Sequence, residues 1–358
     1  MKRFLCYILM LALVIAGSLY LYKRAYIFGF KDGKNNATLQ KNLSAWKSST
    51  ENKFPHDPNK PTVRMMSINF GDEIPPELSE IGPIHEIIRE KYNIEYVDHD
   101  PDILLNGFSG RHKAPSDPKI IKIFYTSEVY LDNNPPKYLD TYDLVIGFDF
   151  IDRPNYIRMP FQYVGVKGDK IRHDYDRHMK CDPSSKPHFA CFLVSNNGEW
   201  RKGQFEGART RTRMFHRLSL YKKVLSGGKH LNNVGGPVPD SHEFLSQCKF
   251  TLSYENTLNY PGYVTEKPFN AWLAGTVPIY NTDPAGLIDI NKKSVIYAGD
   301  FKSEEELVDY IIKVDNDDKL YCDIWNQQII DNPKNDYEVV TSKLRIKLNE
   351  IFTKKLRK

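Results

Sequence analysis

Apolar residues fill the start of the chain almost without a break. Phe4 to Tyr22 is a run of nineteen residues set between Lys2-Arg3 and Lys23-Arg24. As a helix it spans about 28 Å, enough to cross a hydrocarbon core. A cleavable signal peptide competes, with Ala16-Gly17-Ser18 as its cut site, but Leu19 to Leu21 carry the run past that point. An uncleaved transmembrane signal anchor over residues 1–25 is therefore expected. A buried core helix fits less well, because charges flank both ends and no amphipathic face is present. Residues 31–60 are polar and broken by Asn, Ser, Lys and Pro, so 26–61 is expected to be a stem or linker.

From Thr62 onward, short apolar runs alternate with amphipathic stretches. The pattern predicts strands at Thr62–Phe70, Ile94–Val97, Ile120–Tyr125, Leu144–Phe148, Phe189–Val194, Phe250–Tyr254 and Val277–Tyr280. Leu78, Ile81, Ile84, Ile87 and Ile88 recur at three- and four-residue steps, which predicts a helix with one buried stripe. Further helices are predicted near 205–223 and 240–247, and one starting near Thr265. Strands separated by helices imply parallel sheets of βαβ units. The length suits two such units facing a cleft, over 62–185 and 186–335, with the division among the polar residues between Pro183 and Pro187. A basic tail, 336–358, would follow; from Thr341 it reads as an amphipathic segment resting on a membrane surface or as a solvated helix.

Composition narrows the classes. Fifty Lys and Arg against forty-five Asp and Glu leave a net charge of +5, and 41% of residues are hydrophobic, an ordinary globular balance. This lacks the dense basic load of a polynucleotide-binding protein, and no nucleic-acid partner is expected. Five cysteines are too few for a disulfide framework, though they allow one or two bridges. Two sequons, Asn36-Ala37-Thr38 and Asn42-Leu43-Ser44, carry little weight in so Asn-rich a chain.

Three places could carry chemistry, since ligands of open α/β sheets collect at the carboxyl ends of strands. In the first, the apolar run Ile120–Tyr125 leads through Thr126-Ser127 into Glu128, where burial at a strand tip would raise a carboxyl group towards general-base use. In water the same residue would be an ordinary loop glutamate. The second is Arg201–Lys229, with nine Lys or Arg against the single acid Glu206. It would draw a pyrophosphate, although most of these charges could simply line a solvated helix face. The third combines Phe250-Thr251-Leu252-Ser253-Tyr254-Glu255-Asn256 with Tyr263-Val264-Thr265-Glu266-Lys267-Pro268. Thr265 reads as an N-cap, Phe269, Trp272 and Leu273 as a buried stripe, and Gly275 as the stop. Lys267 sits where the helix dipole disfavours a cation, which makes sense if an anion binds there.

The third block, with its FxLxxEN and YVTEK elements, resembles the α-1,3/1,4-fucosyltransferases, glycosyltransferase family ten. Phe124–Glu128, Tyr142-Asp143 to Phe148-Asp149, Tyr156–Pro160, Val194-Ser195-Asn196 and Gly227-Gly228 with Asn232-Asn233 extend the likeness over roughly 62–335. The resemblance implies a GT-B fold of two Rossmann-like domains, acceptor-binding first and GDP-fucose-binding second. It implies inverting transfer of L-fucose from GDP-β-L-fucose, usually to O3 of N-acetylglucosamine, on a glycoprotein or glycolipid glycan. Glu128 matches the general base. Arg211 and Lys267 match the diphosphate cations, with Arg209 and Arg213 as neighbours of Arg211 in the same basic stretch. Glu266 matches the residue gripping the nucleotide sugar's hydroxyls, Tyr263 and Asn256 match donor-pocket residues, and Glu255 is expected to face the fucose. No cofactor is required on this reading; a divalent ion such as Mn²⁺ enters only as an activator. The chain departs from the family pattern at Val129-Tyr130-Leu131 and in the length of Thr257–Gly262.

Two other classes compete. Asp98-His99-Asp100, after a strand, could hold Mn²⁺ as the Asp-x-Asp pair of a metal-dependent glycosyltransferase. A membrane-tethered lectin would use the chain's 13% aromatic residues as sugar platforms, with no need of Glu128 or Lys267. For location, the family resemblance implies a Golgi enzyme with a lumenal body. Lys23, Arg24, Lys31 and Lys34 outnumber Lys2 and Arg3, which points instead to a bacterial membrane protein facing the cytosol.

Overall fold

The computed structural model describes residues 54–70, 82–109, 114–129, 139–165, 180–195, 197 and 206–356. The expected anchor and nearly all of the stem lie outside these. Among the described residues no helix is long and apolar enough to cross a membrane.

The first lobe is a six-stranded sheet built from β1 (Thr62–Phe70), β2 (Asn93–Tyr96), β3 (Ile103–Ser109), β4 (Ile121–Tyr125), β5 (Leu144–Gly147) and β6 (Tyr156–Arg158). Its strand order is β2-β1-β3-β4-β5-β6, and every pairing is parallel. The second lobe contains β7 (His188–Phe192), β8 (Val224–Ser226), β9 (Cys248–Leu252), β10 (Val277–Tyr280) and β11 (Ile296–Tyr297). They are ordered β11-β10-β9-β7-β8, again all parallel. Each lobe thus repeats the doubly wound order 2-1-3-4-5, reversing direction beside its own first strand. These parallel sheets are the α/β architecture that the alternation of runs predicted.

The predicted strands fall on β1, β2, β4, β5, β7, β9 and β10, but the central strand β3 escaped the pattern. Its apolar residues Ile103-Leu104-Leu105 give way to Asn106-Gly107, which reads as a loop. The sheet accepts Asn106 because its side chain is satisfied: it accepts from Asn69 Nδ2 at 2.7 Å and donates to Tyr142 Oη. Short β6, β8 and β11 are too brief for periodicity to register.

Ile84, Ile87 and Ile88 of the helix Gly82–Lys91 are buried in the first core, as the stripe predicted. In the second lobe the helix Glu206–Tyr221 buries Met214, Phe215 and Leu218. Much of the basic stretch is neutralised locally. Arg213 and Arg217 pair with Glu304, Arg217 also pairs with Glu305, and Lys222 reaches Asp315, all on the helix Glu304–Asp315. Disulfides join Cys181 to Cys322, on the helix Asp318–Trp325, and Cys191 to Cys248.

The tail is neither a membrane-resting segment nor a solvated helix. Tyr337–Lys355 is one helix that returns to the first lobe and buries Tyr337, Val340, Leu344, Leu348, Ile351 and Phe352 in its core. Lys355 pairs with Asp143, and Arg345 with Glu90, on that lobe. Tyr337 donates to Glu86 at 3.1 Å. The apolar face that suggested a membrane is matched by an apolar groove in the protein itself. Leu348→Ala should therefore lower stability by about 3 kcal/mol, read from the denaturant midpoint; a change under about 0.5 kcal/mol, as expected of a surface site, would contradict this packing.

Candidate active site

The carboxyl ends of β4 and β9 supply the two halves of the site. Beyond β9 the chain passes Ser253 and Tyr254 to Glu255, whose residue has no exposed surface. A carboxylate so buried must be met by donors. Glu255 Oε1 accepts from Thr265 N at 2.8 Å and from Tyr280 Oη at 3.1 Å, and Oε2 accepts from Lys267 Nζ at 3.0 Å. Thr265 Oγ1 donates to the same group, at 2.8 Å from Oε2, and accepts from Lys267 Nζ, also at 2.8 Å. Glu255 therefore holds the YVTEK turn in place.

Thr265 is correspondingly not the N-cap. The helix runs Lys267–Leu273, Glu266 occupies the cap position with helical dihedrals, and no side chain caps it. The threonine hydroxyl is consumed by the Glu255–Lys267 pair. Phe269 and Trp272 are buried as predicted, and Gly275 follows the helix at φ +70°. Trp272 Nε1 donates to Gln327 O at 2.8 Å, fixing the helix from behind.

Among the described residues of the basic stretch, Arg211 is the one that turns inward. It lies 1% exposed one turn into its helix and donates from Nη1 to Asn256 Oδ1 at 2.6 Å. The helix start is tied to the same loop, with Ala208 N donating to Asn256 O at 3.2 Å. Arg209 is exposed and Arg213 belongs to Glu304, so neither replaces it. Burial pulls the Arg211 guanidinium down to about 10, still charged at neutral pH, and Glu255 and Tyr263 oppose that pull. Burial would also lower Lys267, but Glu255 and Glu266 outweigh it and hold the ammonium above its ordinary value. The Arg211 charge works against Lys267. Two positive groups from separate segments thus converge around Glu255 and Asn256.

Glu128 enters from the first lobe. Three residues past the end of β4, it accepts from Tyr263 Oη at 3.1 Å. Burial raises its carboxyl group, while Lys267 and Tyr263 lower it and Glu255 and Glu266 raise it further; the net result lies above the ordinary glutamate value. Burial also keeps the Tyr263 phenol protonated, so it is the donor. Val129 and Phe148 of the first lobe pack with Tyr260 and Tyr263 of the second, Phe148 lying 5.2 Å from the Tyr263 ring. Glu266 lies among these groups, its charge felt by Tyr125, Glu128 and Lys267.

All seven residues singled out from sequence, Glu128, Arg211, Glu255, Asn256, Tyr263, Glu266 and Lys267, therefore meet at one place. Three contributors were not anticipated: Tyr280, which helps hold Glu255, and the pair Arg158–Asp289 beside Gly262. Arg158 stands in the Tyr156–Pro160 block, the one signal that pointed its way. Asp98 and Asp100 lie elsewhere, after the edge strand β2 and about 14 Å from β4 by strand spacing, where exposed Asp98 pairs with His99. Among the described residues no three His, Cys, Asp or Glu side chains gather as a metal-binding group.

Residues 183–343 match the sequence model of glycosyltransferase family 10 (fucosyltransferase) C-term. The α-(1,3)-fucosyltransferase FucT of Helicobacter pylori is 28% identical over 310 residues, 77% of this chain and 61% of that protein. The putative fucosyltransferase R654 of Acanthamoeba polyphaga mimivirus is 35% identical over 151 residues, 39% of this chain and 25% of its own length. The chain thus spans less than two thirds of these curated relatives. Among solved structures, an α1,3-fucosyltransferase superposes with a TM-score of 0.62 at 26% identity, covering 84% of this chain and 92% of that one. The same kind of enzyme with GDP-fucose gives 0.59 at 26% identity, covering 82% and 92%. The two parallel lobes, the motifs gathered at one cleft and the likeness to solved α1,3-fucosyltransferases agree with the sequence match: residues 183–343 of this chain form a glycosyltransferase family 10 (fucosyltransferase) domain.

Proposed function

We propose that this protein is an inverting α-1,3-fucosyltransferase that moves L-fucose from GDP-β-L-fucose to a glycan hydroxyl, taken as O3 of N-acetylglucosamine. One observation carries the reading: Glu128 of the first lobe touches Tyr263 of the second beside the half-buried Lys267, paired with buried Glu255, and Arg211. Single displacement with inversion needs a base on one face of the sugar and charge stabilisation behind the leaving group on the other. Two lobes bearing a carboxylate and a pair of cations supply that opposition. The related structure with GDP-fucose supports the choice of donor.

In this mechanism Glu128 takes the acceptor hydroxyl proton as that oxygen forms its bond to the anomeric carbon. The bond from that carbon to the β-phosphate oxygen breaks, and GDP leaves with the electron pair. Tyr263 holds Glu128 Oε2, so Oε1 is the oxygen offered to the acceptor. Lys267 and Arg211 offset the charge developing on the diphosphate, with Glu255 and Asn256 fixing their heads. Glu266, at the helix start, is assigned to the nucleotide sugar's hydroxyls. We further place the body on the lumenal side of a single-pass Golgi anchor. Two disulfides support this assignment, since such bonds form and persist in oxidising compartments.

Incubating the protein with GDP-fucose and a small acceptor panel should yield fucosylated product and GDP; glycan binding without transfer would favour a lectin. Glu128→Gln should leave GDP-fucose affinity within about twofold and lower kcat by roughly 10²- to 10⁴-fold, the span of general-base catalysis. Lys267→Ala should weaken GDP binding by about 2 kcal/mol in calorimetry, as expected for a lost charge-assisted hydrogen bond. Because a raised carboxyl group is protonated, and useless as a base, until the pH passes its value, kcat/KM should fall on acidification through a point above the ordinary glutamate range. A limb within that range would remove Glu128 from the role.

A further inference from the structure

Arg158 has no part in the chemistry above, yet through it the two lobes grip each other next to Glu128. Leaving β6 in the first lobe, its guanidinium forks onto Asp289 of the second: Nη1 to Oδ1 at 2.8 Å and Nη2 to Oδ2 at 2.6 Å. Asp289 is 2% exposed, so this is a buried bidentate pair with a fixed geometry. Nη2 also donates to Gly262 O at 3.3 Å, and the guanidinium stacks 4.4 Å from the Phe150 ring centre. Gly262 itself has little freedom. Its φ is +79°, and a Cβ there would come within 2.8 Å of Phe150 Cε2 and 3.0 Å of Phe148 O. The next residue is Tyr263, whose hydroxyl ends on Glu128 Oε2 at 3.1 Å.

We propose that Arg158 is a positioning residue for Glu128: by clasping Asp289 and the Gly262 carbonyl across the cleft, it sets the place of the Tyr263 hydroxyl that holds the Glu128 carboxylate. This deepens the assignment of Glu128 as base and rests on it. The argument is geometric. A hydrogen bond weakens steeply when its donor moves off line, and Tyr263 reaches Glu128 from the opposite lobe, so the contact is only as good as the registration of the lobes. Arg158 fixes that registration one residue away from the donor. Lysine cannot replace it, because a point charge lacks the planar fork that engages both Asp289 oxygens and still reaches Gly262.

Among the described residues, the titratable groups facing Glu128 are Tyr263, Lys267, Glu255, Glu266 and Tyr125. Those facing Arg158 are Asp289, Tyr163, Tyr156 and Asp149. Of the first set, Lys267 and the Tyr263 hydroxyl favour the charged carboxylate. Displacing the hydroxyl must therefore move the Glu128 titration to higher pH.

The test follows the Glu128 carboxyl directly, by ¹³C NMR titration of the full chain labelled at glutamate, with Glu128→Gln to assign the resonance. In Arg158→Lys the Glu128 midpoint should rise by about one pH unit, the size expected for one lost hydrogen bond to a charged group. Tyr263→Phe should give the same rise, and the double variant no more than either alone, because both act through one contact. The acid limb of kcat/KM in fucose transfer should move in step. An unmoved midpoint in folded Arg158→Lys, or a double-variant shift equal to the sum, would overturn the proposal. Should Arg158→Lys fail to fold, Asp289→Asn breaks the same clasp from the other lobe and is judged by the same criteria. A wild type that transfers no fucose would refute the base assignment instead, while the titration would still decide whether Arg158 governs the Tyr263 contact.

Discussion

Glu255 is a carboxylate with no exposed surface, and the architecture of the second lobe follows from the need to satisfy it. An unpaired charge at such depth costs several kcal/mol, so the chain must bring donors to it from wherever they lie. They come from the turn before the helix, from the helix start and from β10: Thr265, Lys267 and Tyr280. The same demand fixes the ammonium of Lys267 in a defined place. Asn256, the next residue, does the equivalent for Arg211. One strand tip thereby sets both cations, which a longer or looser loop after β9 would scatter.

The first lobe meets this arrangement along a narrow line of contact in which apolar packing and charge pairing are interleaved. Phe148, Val129, Tyr260 and Tyr263 form the apolar part, Arg158 and Asp289 the ionic part, and Glu128 meets the Tyr263 hydroxyl. Both lobes wind in the same strand order, so the carboxyl ends of β4 and β9 offer loops to one cleft. The helix Tyr337–Lys355 completes the first lobe with residues from the far end of the chain. The two lobes are therefore joined by that crossing as well as by the contact line. Glu128 from one lobe and the two cations from the other keep their relative places only if both connections hold.

Such a site is costly to build. Glu128 is driven towards its neutral form by burial, and Arg211 is lowered by the same cause. Lys267 resists because two carboxylates surround it. These are opposed conditions in one small volume: a carboxyl group pushed towards its neutral form, and cations that stay charged. Glu255 acts on both, since its charge holds the Lys267 ammonium up and raises the Glu128 carboxyl group as well.

The residues that gather at the candidate site could be picked out in the sequence because each sits in a local pattern. An apolar strand ends in a carboxylate at Glu128, an EN pair follows β9, and a lysine stands at a helix start where the dipole disfavours it. Seven strands were legible for the same reason, as runs of apolar residues long enough to show a period. What the sequence could not decide was anything settled between distant segments. β3 was hidden because Asn106 is satisfied by Asn69 and Tyr142, residues 37 and 36 positions away. The apolar face of the last helix looked the same whether a membrane or a groove in the first lobe would cover it. Thr265 looked like a cap until Glu255 took its hydroxyl, and Arg158 had no visible purpose until Asp289, 131 residues on, lay opposite it. Periodicity and caps are short-range physics and can be read along the chain, whereas the pairing of a buried charge depends on which remote donor the fold delivers.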